Sequence, residues 1–415
     1  MMEFIQCMPL EQARELIMGS LEGIPVKGET VPLIDALGRI TTEDIITREN
    51  LPPFSRSTVD GYAVRSADTF GASETSPSLF FLTGEILMGQ QTDIVLQPGQ
   101  AAAIPTGGML PAEADAVVML EYTERPDEHT LLALKTAAPG ENVVAKGEDL
   151  QADTVVVPRG QRLAPQHIGA LAACGCTEIP VSKKLQVAII STGDELVDIN
   201  ETVGFGKIRD INSYAIGAML AETGCQVKSM GIVRDSYDQF HAALAEAVST
   251  SQMVVISGGS SVGARDFTVK ALGALGAPGV LLHGIALKPG KPTIYGMVDK
   301  VPVFGLPGHP VAAMTVCNQL VKLAARTLMG QKEAEKAAAI SARLVRNVAS
   351  TPGRDDFINI RLTKQDDQYI AEPILGKSGL VSTMAQADGI MHIPADKSGV
   401  YNGETVDVVL IKSMP

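Results

Sequence analysis

Apolar runs alternate with amphipathic segments between residues 184 and 330, and this alternation constrains the fold more than any other feature of the sequence. Strands that alternate with helices usually form a parallel sheet with helices on both faces. The sequence therefore predicts a doubly wound α/β domain over residues 184–330. Its predicted elements are strand Leu185–Ile190, helix Ser213–Thr223, strand Gln226–Val233, helix Tyr237–Ser249, strand Met253–Ile256, strand Val301–Leu306 and a helix from Pro310 to about Leu328.

The segments on either side have different patterns, and a chain of 415 residues is expected to contain several domains. Residues 51–149 consist of short apolar runs between Gly, Pro and Asp turns, which is typical of a β domain. We predict that this domain is inserted into a mixed N-terminal domain made of residues 1–50 and 150–183. Alternating runs predict a further small β domain over residues 331–415. The helix-like segments of the N-terminal domain are Leu10–Leu21, Val31–Ile40 and Ala164–Cys174.

Charge and targeting signals narrow the class of protein. The chain has 47 acidic and 34 basic residues and a formal charge of −13, so it is expected to repel nucleic acids and anionic membranes. No signal peptide or apolar run of transmembrane length is apparent, which predicts a soluble cytoplasmic protein. Five cysteines without zinc spacing are expected to be reduced thiols, mostly acting as small buried apolar residues.

Three glycine-containing loops follow predicted strands of the α/β domain. In open α/β sheets, ligands bind at the carboxyl ends of the strands, where backbone N–H groups face anions. Each loop by itself is also consistent with an ordinary turn, but three at equivalent positions favour phosphate binding. The candidate substrate-binding residues in these loops are Thr192, Gly193, Ser257, Gly258, Gly259, Ser261, Gly263, Pro307 and Gly308.

Carboxylates lie beside the same loops, at Glu195, Asp235 and Asp266. Carboxylates next to bound phosphate would repel it unless a hard cation such as Mg²⁺ lay between them. We therefore predict a Mg²⁺ site formed by these three residues. The alternative is that Asp235 and Asp266 only cap the helices that follow them.

Basic side chains are available at Lys288 and Lys291, in a loop stiffened by proline and glycine, and at Arg354. These three residues are candidates for binding the anionic parts of a substrate, although surface lysines are usually only solvated. Among the histidines, His283 and His309 are the two near these loops, and an ordinary structural role is favoured for both.

The motifs taken together resemble the molybdopterin molybdenumtransferase (MoeA) family, which includes the gephyrin E domain. The similarity extends over essentially the whole chain, and its motifs occur in the family's order. Two positions depart from the common family pattern: Ser260 replaces Val, and His309 replaces Asn. The motifs that carry the resemblance are Ser57–Ala63, Thr106-Gly107, Asp115–Val117, Gly147–Asp149, Ser191–Leu196, Ser257–Gly263 with Asp266, Lys288–Pro292, Gly305–Gly308 and Pro352–Arg354.

The resemblance implies a homodimer whose active site lies between the α/β domain of one subunit and the inserted β domain of the other. It thereby adds Asp60 and Asp149 to Glu195, Asp235 and Asp266 as catalytic residues. The implied reaction takes adenylylated molybdopterin and molybdate, releases AMP and leaves molybdenum on the dithiolene sulfurs. Contact with a molybdopterin adenylyltransferase is also implied.

Two other functions compete with this interpretation. Similar α/β domains occur in molybdopterin adenylyltransferases, although the flanking domains argue for molybdenum insertion. A non-catalytic, gephyrin-like scaffold would require an exposed apolar patch and the loss of carboxylates. All five carboxylates are present in the sequence, which disfavours the scaffold.

Overall fold

The computed structural model describes residues 7–258, 262–332 and 338–412, and the side chains of residues 262–266 are outside that description. The central sheet has six strands. Four neighbouring strands are parallel, as predicted, and two further strands extend this sheet through two successive antiparallel pairings. In spatial order the strands are Gln226–Val233, Gln186–Thr192, Met253–Gly258, Val301–Leu306, Ile294–Val298 and Pro278–His283.

Both faces of the central sheet are buried beneath helices. Val187 and Ile189 point into one apolar cluster, whereas Ala188 and Ile190 point into another. This alternation follows the two-residue period of a strand and confirms the doubly wound arrangement. The helices of this part of the chain are Asn212–Glu222, Tyr237–Thr250, Val262–Leu275, Pro310–Val316 and Lys322–Leu328, the last two being joined by a π-helical segment, Cys317–Val321.

The N-terminal helix Leu10–Leu21 packs against the central domain. Its Leu10, Ala13 and Ile17 belong to the same apolar cluster as Val187 of the central sheet. The predicted helix over Val31–Ile40 is wrong, because this segment forms strand Gly28–Pro32 and a short 3-10 helix, Leu33–Asp35.

Strand pairing unites the two separate segments of the N-terminal region. Gly28–Pro32 pairs with Glu178–Ser182, and Ile45–Ile46 pairs with Val155–Val157. Helix Pro165–Ala173 covers the resulting small core, which confirms the helix predicted over Ala164–Cys174.

Residues 51–149 contain a six-stranded sheet, and its strand Gly61–Val64 directly follows Asp60. Its two apolar clusters lie on opposite faces of the sheet. In spatial order the strands are Ala116–Met119, Gly61–Val64, Gln100–Ile104, Ser78–Glu85, Thr130–Ala133 and Thr123–Glu124, and the short pair Arg56–Ser57 and Val143–Val144 lies beside them.

The C-terminal strands close into a small barrel, because the long strand Asp355–Gln365 pairs with both ends of the series. A two-residue strand of the central domain, Leu287–Lys288, pairs in parallel with Asp355–Asp356 and attaches the barrel to that domain. Around the barrel the strands are Asp355–Gln365, Gln368–Pro373, Ala339–Leu344, Thr405–Leu410 and Gly389–Ile393; the additional pair Val348–Ala349 and Gly399–Val400 and the short helix Ser382–Ala385 lie outside this ring.

The cysteines were predicted to be reduced and mostly buried. None of the five cysteines forms a disulfide, but only Cys225 and Cys317 are buried, so the prediction of buried thiols is wrong for Cys7, Cys174 and Cys176. Burial raises the pKa of the Cys225 and Cys317 thiols to about 12.

None of the helices in the described ranges is long and apolar enough to cross a lipid bilayer.

Candidate active site

The predicted glycine loops meet at one edge of the central sheet, because the parallel strands end there together. Thr192, the last residue of its strand, is paired with Gly258 on one side and with Val233 on the other. The next strand over ends at Leu306, which pairs with the buried Ser257. The loops that contain Gly193, Asp235, Gly258 and the Pro307-Gly308 turn therefore share this edge. We call it the strand-end edge.

Two glycines at this edge permit contacts that a side chain would block. Gly193 has φ +147°, and a Cβ there would lie 2.5 Å from Oε2 of Glu195. Gly258 has φ +105°, and its Cβ would lie 2.2 Å from the Thr192 carbonyl oxygen. Both loops need glycine for positive φ and for close approach. Gly259, Ser260 and Ser261 lie outside the described residues. The side chains of residues 262–266 are also outside that description, so the roles predicted for Gly263 and Asp266 stay predictions.

Two buried side-chain atoms near the edge have no partner within the described part of the chain: Oγ1 of Thr192 and Oδ1 of Asn212. Asn212 begins a helix and donates from Nδ2 to the Gly308 carbonyl at 2.9 Å. Unpaired buried polar atoms are costly unless a ligand or water satisfies them. The sequence analysis missed Asn212, because nothing local distinguishes it from an ordinary first helical residue.

Carboxylates gather where two of these loops meet. The backbone N–H of Asp235 donates to Oδ1 of Asp194 at 3.2 Å. Desolvation, followed by the negative charges of Asp194 and Glu195, raises the pKa of Asp235 above its usual range. Three carboxylates are thus close enough to repel one another, although the sequence analysis had not included Asp194.

The chemistry of this donor set fits Mg²⁺, which takes carboxylate oxygens and would relieve their mutual repulsion. Among the described side chains, however, no group of three or more His, Cys, Asp or Glu residues converges closely enough to hold a metal ion. The predicted third ligand, Asp266, is not among those side chains. Glu195 and Asp235 are therefore suitable Mg²⁺ ligands by their chemistry.

Asp60 and Asp149 are exposed on the inserted domain. The Asp60 carboxylate accepts hydrogen bonds from Thr106, and the Asp149 N–H donates to Leu51. Within the described ranges of a single chain, no hydrogen bond or ion pair connects either residue to the strand-end edge. The described contacts therefore leave Asp60 and Asp149 unconnected to Glu195 and Asp235.

The predicted basic residues do come together. Lys288, Lys291 and Arg354 line one cavity of about 750 Å³ between the central domain and the barrel, which we call the cationic pocket. Pro307 and His309 also line it, so the pocket reaches the strand-end edge. None of the described residues that line it is acidic. Such a cavity is suited to an anion.

Two residues of the pocket were not identified as contacts by the sequence analysis. Lys377 adds a further basic side chain to the lining. Ser378 Oγ lies 2.8 Å from Nδ1 of His309, and its carbonyl accepts the N–H of Val311. The histidine at the departure from the family pattern thus connects the central domain to the barrel region. His283 does not line this pocket.

Fold and site together define a class: multidomain α/β proteins that carry a molybdopterin-binding type of central domain. Residues 188–327 match the model described as "Probable molybdopterin binding domain". Residues 8–175 match the MoeA N-terminal region (domain I and II), and residues 341–411 match the MoeA C-terminal region (domain IV). The chain belongs to the molybdopterin molybdenumtransferase (MoeA) family.

Individual relatives agree over nearly their full lengths. A Methanocaldococcus jannaschii protein named for molybdopterin biosynthesis is 35% identical, with 98% of each chain covered. A molybdopterin molybdenumtransferase of Haemophilus influenzae is 32% identical over 96% of this chain and 97% of its own. A crystal structure of the molybdopterin biosynthesis MoeA protein of Pyrococcus horikoshii OT3 superposes with a TM-score of 0.83 at 31% identity, covering 98% of this chain and 100% of that one.

Proposed function

We propose that this chain is a molybdopterin molybdenumtransferase, which inserts molybdate into adenylylated molybdopterin and releases AMP. One observation carries the proposal: an edge rich in glycine and carboxylates is continuous, through Pro307 and His309, with a cationic pocket in which no described lining residue is acidic. The proposed reaction has two anionic groups to bind, the phosphoanhydride of adenylylated molybdopterin and the inorganic oxyanion molybdate. Two such neighbouring environments would bind them. The names of the relatives agree with this reaction.

The residues at the edge would bind and orient the phosphoanhydride. Backbone N–H groups of the glycine loops approach its phosphate oxygens without interference from side chains. The buried Thr192 hydroxyl still lacks a partner in the described structure and can donate to a phosphate oxygen. The unpartnered Oδ1 of Asn212 is an acceptor, so it would bind a donor group of the substrate. Fixing the scissile bond in line with the attacking group reduces the entropic part of the barrier.

Glu195 and Asp235 would hold Mg²⁺, with Asp266 as a further ligand. When bound, this ion neutralises phosphate charge and polarises the bond that releases AMP. Desolvation, and then the charges of Asp194 and Glu195, raise the pKa of Asp235, and a cation at this place would favour its ionised form. The basic side chains Lys288, Lys291 and Arg354 would bind the oxyanion on the other side of the substrate.

A homodimer would complete the site with Asp60 and Asp149 of a second copy. Support comes from the segment next to the edge, where Phe205 and Ile208 are exposed. The Ile208 N–H donates to the Glu195 carbonyl, so this apolar surface adjoins the carboxylates. Exposed apolar surface of this kind commonly marks an interface between chains. We also propose a cytoplasmic location and contact with a molybdopterin adenylyltransferase.

The reaction is tested by measuring AMP release from adenylylated molybdopterin with purified protein, with and without molybdate and Mg²⁺. AMP release that needs both additions supports the proposal. Glu195→Ala and Asp266→Ala should abolish it, whereas Glu201→Ala, an exposed carboxylate of the same domain, should not. Consumption of ATP to adenylylate free molybdopterin would instead identify an adenylyltransferase. No turnover of either kind would favour a scaffold.

The shared site is tested by mixing two inactive variants, Asp60→Asn and Glu195→Gln, and allowing subunits to exchange. If each site uses Asp60 of one chain and Glu195 of the other, half of the sites in mixed dimers are intact. Activity should then recover to about a quarter of the wild-type value, as the statistics of a two-fold dimer require. No recovery, with exchange demonstrated, would contradict a site shared between subunits.

A further inference from the structure

The carboxylate of Asp356 lies directly behind the cationic pocket. Its side chain is 0% exposed, and it does not line the cavity. Oδ1 accepts from Nε of Arg354 at 3.1 Å, and Oδ2 accepts from Nζ of Lys288 at 3.4 Å. The two cations are themselves partly exposed, at 35% and 50%. Each cation therefore contacts a buried carboxylate behind it while lining the pocket in front.

Backbone pairing fixes this arrangement. Lys288 is opposite Asp356 in the parallel pair that joins the central domain to the barrel, and the Asp355 N–H donates to the Ala286 carbonyl at 2.9 Å. On its other side Asp356 is paired with Ile393 inside the barrel. Lys288 and Arg354 come from different domains, and both contact the same buried carboxylate.

We propose that Asp356 is a positioning residue, which holds Lys288 and Arg354 at the separation and orientation that bind an oxyanion in the cationic pocket. This inference rests on the proposed function, in which that pocket binds the oxyanion substrate. The lysine side chain is long and flexible, and ordering it for a ligand costs conformational entropy. A buried carboxylate must keep its partners because an unpaired buried charge is costly, so it orders both cations before the anion arrives.

The sign of the expected effect separates positioning from simple electrostatics. Asp356 places a negative charge close to an anion site, and the direct Coulomb effect of that charge weakens anion binding. Neutralising it would therefore tighten binding if charge were its main contribution. If Asp356 acts through Lys288 and Arg354, neutralising it weakens binding instead.

The test uses the full chain with Asp356→Asn and measures the affinity for molybdate and for sulfate by calorimetry. We expect binding about tenfold weaker than wild type, within the range seen when residues that orient ligand-binding groups are lost. The matched control is Asp355→Asn, on the same strand. This residue pairs with His392 at 2.7 Å and not with the pocket cations. The control should bind oxyanion as tightly as wild type or slightly more tightly.

Unchanged or tighter binding by a folded Asp356→Asn protein would overturn the proposal. If that variant does not fold, Asp356→Glu decides, since it keeps the charge but moves the carboxylate by one methylene. Positioning predicts weaker binding for this variant, and wild-type affinity would refute it.

The test of Asp356 and the test of the proposed reaction can fail independently of each other. Oxyanion affinity is measured without turnover, so a wild-type protein that binds molybdate but releases no AMP would refute the reaction and leave the role of Asp356 to be judged by the variants. Where AMP release is observed, Asp356→Asn should raise KM for molybdate more than it lowers kcat.

Discussion

Thr106 donates two hydrogen bonds to Oδ1 of Asp60, from its backbone N–H at 2.7 Å and from its hydroxyl at 3.0 Å. The two residues belong to separate segments of the inserted domain that resemble family motifs. The backbone hydrogen bond, followed by the hydroxyl, lowers the pKa of Asp60 below its usual value. The two hydrogen bonds also fix the direction of this exposed carboxylate.

Thr106→Val should raise the pKa of Asp60 only part of the way back toward 3.8, because the larger, backbone contribution remains. A lowered carboxyl pKa favours the folded state above about pH 3.8, and this contribution disappears as the pH falls through the folded-state value. The difference in stability between Thr106→Val and wild type should therefore be present near neutrality and shrink in acid. Carboxyl ¹³C NMR titration measures the shift, with Thr106→Ser as the control that keeps the hydroxyl. Identical titration of Asp60 in the valine variant would contradict the assignment.

Gly258→Ala tests the close approach of two strand-end loops. A methyl group there would lie 2.2 Å from the Thr192 carbonyl oxygen, in a backbone conformation with φ +105°. We expect the free energy of unfolding to fall by more than about 1 kcal/mol and AMP release to be lost. Gly273→Ala is the control in the same domain. It lies in a helix with no atom within 4 Å of the added Cβ, and it should be neutral or stabilising. Equal stability of the two variants in thermal unfolding would rule out the steric argument.

Asp388→Ala tests the closure of the barrel. The carboxylate accepts from the Leu362 N–H at 2.7 Å and from Lys412 at 2.6 Å. Burial raises its pKa, but the hydrogen bonds from Lys412 and Leu362 outweigh burial and leave the pKa lowered. Truncation leaves the Leu362 N–H buried without its acceptor and should cost about 1–3 kcal/mol of unfolding free energy.

The pH dependence of that cost provides a second check. Because the pKa of Asp388 is lower in the folded state, its stabilisation is present above about pH 3.8 and is lost as the pH falls further. The difference between wild type and Asp388→Ala in urea unfolding should shrink in acid. Asp396→Ala, at an exposed carboxylate of the same domain, is the control and should change stability little. A cost that is the same at all pH values would mean that the charge of Asp388 contributes nothing.

The central domain was the most predictable part of the chain. Strands Gln226–Val233 and Val301–Leu306 have the predicted bounds, because each apolar run is enclosed by turns or helix starts. The segment Val31–Ile40 was mispredicted because Leu33, Ile34 and Leu37 are spaced as in a helix. Its strand instead pairs with Glu178–Ser182, a partner that no local pattern reveals.

The sequence predicted the individual residues of the candidate site but not the contacts that join them. Glycines and carboxylates after strands indicate where ligand chemistry occurs, and Lys288, Lys291 and Arg354 do line one cavity. Asp356 could not be identified, because its importance depends on a two-residue strand pair between distant segments. Asn212 was missed for the same reason: its hydrogen bond to Gly308 joins loops from different strands.

His309 provides the last prediction, since it occupies a position at which many members of the family have asparagine. Its Nδ1 lies 2.8 Å from Ser378 Oγ, and both residues line the cationic pocket. His309→Ala removes that hydrogen bond, so the segment around Ser378 should exchange its amide hydrogens faster, and KM for adenylylated molybdopterin should rise about three- to tenfold. His309→Asn should retain most of the wild-type behaviour, because an amide can also hydrogen-bond a hydroxyl. Hydrogen exchange followed by mass spectrometry, combined with steady-state kinetics, measures both effects. If His309→Ala left exchange and KM unchanged, the contact with Ser378 would not order this part of the pocket lining. Histidine would then be a functionally neutral replacement for asparagine at this position.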